Sequence, residues 1–126
     1  GMVQYARQSH FTRANQFIEM RRRFMEDPIF RNLLSLIAAD CPDVAKTPIQ
    51  DRRNLVGFLE EVALLVNSGM IRPHVAHYMF GYYVLLIDSC DAFWTDLDRE
   101  GHYWRVFREF VILMKQSREA PKIITI

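Results

Sequence analysis

The stretch VAHYMFGYYVLLI, residues 75–87, is interrupted only by one histidine and one glycine, His77 and Gly81. A segment this apolar makes a helix greasy on most of its circumference. Such a helix is either central in its bundle or covered by another molecule. Projected at about 100° per residue, its polar positions collect in one stripe of His74, His77, Gly81, Asp88 and Asp91, with Val84 among them. The wide remaining arc includes Tyr78, Tyr82, Tyr83 and, at its end, Trp94. The run falls short of the ~20 residues that a membrane span requires, so no transmembrane segment is expected.

The rest of the chain reads as helices around that one. A length of 126 residues suits a single domain with a real core. Apolar spacing predicts a first helix over residues 11–26, with Phe11, Ala14, Phe17, Ile18, Phe24 and Met25 on one face. Asp27-Pro28 caps a second helix that ends near residue 39. Thr47-Pro48-Ile49-Gln50 has the form of a capping box and opens a third helix, which Gly69 terminates after residue 67. The greasy helix is expected over residues 73–94 and a fifth over 102–117. The expected fold is all-α, a five-helix antiparallel bundle. Its domain spans residues 2–120, and a strand-prone tail over 121–126 docks or frays. Gly1 before Met2 reads as the remnant of a purification tag and is set aside.

Composition narrows the function. A net charge of +1 argues against a bulk electrostatic nucleic-acid binder. Cys41 and Cys90 are isolated, which suits free thiols in the cytoplasm. No P-loop, Rossmann glycine pattern, nucleophile elbow, HExxH or kinase signature is present, so no catalytic residue and no cofactor is assigned.

Two constellations carry what chemistry there is. His74 and His77 are one turn apart, and an antiparallel hairpin turning near Met70 would bring Glu60 and Glu61 level with residues 77–80. That makes the four a candidate metal or small-ligand site between the third and fourth helices. The competing expectation is a His–Glu hydrogen bond or solvated histidines. Asp88 and Asp91 lie too far along the axis to join it and form, with Asp96 and Asp98, an acidic helix end. Arg21 falls within an apolar arc. There it snorkels, pairs with a buried carboxylate, or offers its fork to an anionic ligand.

The segments RNLVGFLEEVALLVNSGMIRPHVAHYMFGYYV and DREGHYWRVFREFVILM, from Arg53 to Met114, resemble a bacterial and phage helical family, the domain of unknown function 4760 family. The likeness rests on Phe58 to Glu61, Gly69, Ile71, Phe80-Gly81 and Tyr103-Trp104. It implies an all-helical fold and brings no activity or cofactor. The expectation that follows is a non-enzymatic protein–protein contact domain, a homodimer or the partner of another protein, with Tyr78, Tyr82, Tyr83, Trp94 and Trp104 as interface residues. The alternatives are a metal- or ligand-dependent enzyme at the histidine pair, and peripheral membrane contact through the aromatic surface and the Arg-rich first helix.

Overall fold

The computed structural model describes residues 2–118 and 123–126. It is all-α: α1 (Met2–Glu26), α2 (Pro28–Ala38), α3 (Ile49–Asn67), α4 and α5 (Arg105–Gln116), joined by short 3-10 turns at Pro42–Lys46, Asp91–Trp94 and His102–Trp104. α4 runs in three stretches, α-helical over Pro73–Ala76, a π turn over His77–Gly81, and α-helical again over Tyr82–Ser89. No strand occurs among the described residues. None of the described helices is long and apolar enough to cross a membrane.

The helix ends follow local chemistry. The Asp27 carboxylate accepts from the Ile29 and Phe30 amides at 2.9 and 3.0 Å, which satisfies two orphan donors of α2. Gly69 ends α3 at φ +80°, a conformation in which a Cβ is strained. The capping box at Thr47 does not form. The Thr47 hydroxyl donates to the Val44 carbonyl at 2.6 Å and so closes the preceding 3-10 turn, while the Gln50 amide turns to Asn54 at 2.8 Å. α4 stops at Ser89 rather than running on to Trp94, because Cys90 adopts φ −98°, ψ 96° and the chain re-enters as a 3-10 turn.

α4 is the central helix. Val75, Ala76, Phe80, Gly81, Val84 and Ile87 are buried, and of the expected polar stripe Gly81 and Val84 lie inside, His74, His77 and Asp88 are half-buried and Asp91 is exposed. The aromatic centre is built on Phe24, whose ring meets Phe30, Phe58, Phe80 and Tyr83 at 5.3–5.9 Å. Phe17 reaches Phe80 at 5.8 Å. A second centre holds Trp94 against Phe93, Trp104 and Phe107 at 5.3, 6.1 and 5.6 Å.

α1 departs most from expectation. It begins at Met2, nine residues before the expected start at Phe11, and its first buried side chain is Phe17. Residues 2–12 are exposed throughout. The stretch from residue 2 to 16 is therefore an arm about 22 Å long at 1.5 Å per residue. Phe11 and Ile18, expected on the buried face, are 65% and 52% exposed, because Phe17 and Phe24 set that face instead. At the other terminus the expected boundary near residue 120 falls outside the described residues. Residues 123–126 dock on their own chain without forming a strand. Ile124 and Ile126 pack on the core, and the Thr125 hydroxyl accepts from Arg72 at 3.2 Å.

Candidate functional site

The histidine–glutamate site does not assemble. Phe58 and Phe80 meet at 6.2 Å, so α3 and α4 stand close to the expected register, but their rings fill the space between the helices. Glu60 points away from α4. Its Oε2 accepts from the Phe107 amide at 3.1 Å and so caps α5, whose own N-cap residue, Trp104, has no acceptor side chain. Burial pushes the Glu60 carboxyl above its ordinary value, and the Phe107 amide pulls against that shift. Glu61 is exposed and His74 half-buried. The His77 ring folds over Gly81 closely enough that a Cβ there would stand 2.8 Å from its Cδ2. No group of three or more His, Cys, Asp or Glu side chains arranged to hold a metal ion occurs among the described residues.

Two aspartates of the expected acidic end have ion-pair partners. Asp91 pairs with Arg99 at 3.2 Å and Asp88 with Lys115 at 3.8 Å. The Arg99 guanidinium also reaches the Asp88 carbonyl and lies 5.2 Å from the Trp94 ring centre.

The two tryptophans are structural. Trp94 and Trp104 are 6% and 4% exposed, and the Trp94 indole donates to the Ile87 carbonyl at 3.1 Å. With their rings spent on the core they have no face left for a partner, contrary to the expectation that they anchor an interface. Tyr83 is half-buried against Phe24. Only Tyr78 and Tyr82 of that set stand out, at 71% and 65% exposure.

Arg21 is half-buried and makes no side-chain hydrogen bond or ion pair among the described residues. Its neighbour Arg22 spans both acids of α1, reaching Glu19 at 2.5 Å and Glu26 at 3.4 Å. The arginine that folding does bury is Arg52, 1% exposed, which donates to the carbonyls of Phe93, Thr95 and Thr47. Burial lowers its pKa and Asp96 opposes the shift. The signal was present: Arg52 stands three, four and seven residues before Leu55, Val56 and Leu59, on the core arc of α3.

What remains open on the surface lies along α1. A groove of about 500 Å³ runs between α1 and the α3–α4 turn, with Phe17, Met20, Leu65, Met70 and Ile71 as its apolar wall. It continues up the arm past Tyr5, Ser9, Thr12 and Gln16. Arg13 and Arg23 stand at its rim with Glu19. Sequence reasoning missed it, because the groove exists only once the turn at Met70 is laid beside α1.

Comparison of the chain with protein-family models, with curated proteins and with solved structures found no match.

Proposed function

We propose that this chain is a protein–protein contact module whose working surface is the α1 arm and the groove along it. The observation that carries this is the arm itself. Some fifteen residues of helix with little packing of their own are marginal in water. Yet this arm carries Met2, Val3, Tyr5 and Phe11 in the open, and its base adjoins the apolar wall of the groove. The exposed pair Tyr78 and Tyr82 is the second patch of the same kind, and it is smaller. A homodimer in the cytoplasm, with Cys41 and Cys90 reduced, and kinship with the bacterial and phage helical family belong to the same proposal. That family likeness adds no activity to it.

The test is a photo-crosslinking residue at Gln16, on the groove, in the living source cell. The expected result is one discrete protein adduct. A chain that stays uncoupled from Gln16 but couples from Tyr78 would overturn the groove and move the contact to the tyrosines.

A further inference from the structure

We infer that the groove takes an acidic, amphipathic peptide segment of another protein, with an apolar side chain in the pocket and carboxylates on Arg13 and Arg23. This rests on the contact-module reading above and names the chemistry of the partner.

Charge is divided unevenly over this molecule. α1 holds five arginines, Arg7, Arg13, Arg21, Arg22 and Arg23, against Glu19 and Glu26, and so carries +3. The whole chain carries +1, which leaves the remainder net negative. The positive excess therefore sits on the one helix that walls the groove, and it favours an anionic partner there.

At the groove itself the contrast is sharper. Its floor is apolar, from Phe17, Met20, Leu65, Met70 and Ile71, and Arg13 and Arg23 stand at its rim. The two are ten residues apart, about 15 Å along the helix axis at 1.5 Å per residue. Glu19 is the acid beside them, and it is already engaged, because Arg22 holds both its oxygens at 2.5 and 2.9 Å. Arg23 has no ion-pair partner among the described residues, and the Arg13 guanidinium reaches the His10 ring at 3.4 Å. Two cations without a carboxylate, set along an apolar recess, select the reverse pattern in a partner, an apolar anchor between acids. The groove runs on past Thr12 and Ser9 to Tyr5, about 27 Å from Arg23 along the axis, and that length suits a stretch of chain.

A lipid surface and a nucleic acid fit less well. Val3, Tyr5 and Phe11, exposed on the arm, stand about 80–160° apart around the helix and make no single face to lie in a membrane. A phosphate backbone makes no use of the apolar floor.

Fluorescence anisotropy of the purified chain with labelled synthetic peptides tests this at low and high salt. The first peptide carries leucine and phenylalanine at helical spacing among glutamates. The second has lysine for every glutamate, and the third keeps the glutamates but has serine at the apolar positions. The first should bind with a dissociation constant on the order of 100 μM or tighter, at least about tenfold tighter than either of the others, and should weaken with salt. Arg13→Glu with Arg23→Glu should weaken it at least about tenfold, and the milder Arg13→Gln with Arg23→Gln about threefold, with thermal unfolding as the check on folding. Arg105→Glu, exposed on α5, should change it less than about twofold. Equal binding of the lysine peptide, indifference to both arginine pairs, or no binding of the first peptide below about 1 mM overturns the inference. Sedimentation of the chain with phosphatidylserine vesicles that the acidic peptide fails to release assigns the charge to a membrane and overturns it as well. A cellular Gln16 adduct beside a failed acidic peptide removes only the acidic partner, and absence of both removes the contact-module reading too.

Discussion

The Arg52 guanidinium meets the Phe93 carbonyl at 2.7 Å across 41 residues of sequence. The same nitrogen serves Thr95 at 2.7 Å, and its neighbour serves Thr47 at 3.3 Å. One α3 side chain thus supplies donors to two separate turns. Arg52→Ala leaves the buried Phe93 and half-buried Thr47 carbonyls without that donor, as well as the carbonyl of exposed Thr95, and at ~1 kcal/mol or more for each of the first two it should cost at least about 2 kcal/mol. Arg52→Lys keeps the charge, loses the fork and should recover only part of that. Chemical denaturation of the three proteins measures both. Equal midpoints for the parent and the Arg52→Ala variant would show that water had replaced the strut.

Glu60 gives a pH dependence with a definite sign. Its folded pKa is raised by burial, so the protonated form is the better fit. The stability tied to that proton is complete in acid and is lost as pH rises through the raised value. Glu60→Gln keeps an oxygen for the Phe107 amide and removes the charge. Its melting temperature should match that of the parent near pH 4 and exceed it increasingly toward pH 7, above the ordinary glutamate range of about 4.3. Glu60→Ala removes the cap and should lose about 1 kcal/mol in acid, a loss that shrinks as pH rises and the parent carboxyl ionises. A difference between the Gln variant and the parent that stays flat with pH would mean that the carboxylate is fully solvated.

Two glycines inside helices should respond with opposite signs. Gly57 has nothing within 4 Å of an added Cβ, so Gly57→Ala should stabilise by up to about 1 kcal/mol. Gly81→Ala drives a methyl against the His77 ring, where the gap is 2.8 Å, and should destabilise by about 1–3 kcal/mol. Adding His77→Ala should recover most of the loss, because the clash has one partner. A double-mutant cycle in thermal unfolding reads the coupling, and additive losses would place the strain elsewhere.

Tryptophan emission separates core from interface. With Trp94 and Trp104 both inside, emission should be blue-shifted, weakly quenched by iodide, and unchanged between dilute and concentrated samples. A shift that tracks association would return the tryptophans to the interface.

The sequence made the all-helical class, the Asp27 cap and the Gly69 stop legible, since each depends on neighbours in the chain. It left the greasy helix open between a central and a covered one, because burial depends on where the other helices stand. Val75 and Ala76 are buried in its first stretch, Phe80 and Gly81 in the π turn and Val84 and Ile87 beyond it, while Tyr78 and Tyr82 stay exposed. The groove and the Glu60 cap were illegible for another reason, because each is made by residues more than forty positions apart. Arg52 was legible, as an arginine on the core arc of α3, whereas the apolar arc that singled out Arg21 is one the arm leaves largely in water.

The strut at Arg52 also sets an order of events during synthesis. A guanidinium gives up its hydration only when its acceptors are in place. Two of the three acceptors, at Phe93 and Thr95, lie about three-quarters of the way along the chain. A nascent chain that has emerged only through α3 therefore holds the Arg52 end of that helix wet, and the first three helices cannot close into a dry half-domain ahead of the rest. Pulse-labelled amide exchange would show Leu55 and Phe93 gaining protection together. The fold is then a single late commitment, made when the second half of the polypeptide arrives to dehydrate the first.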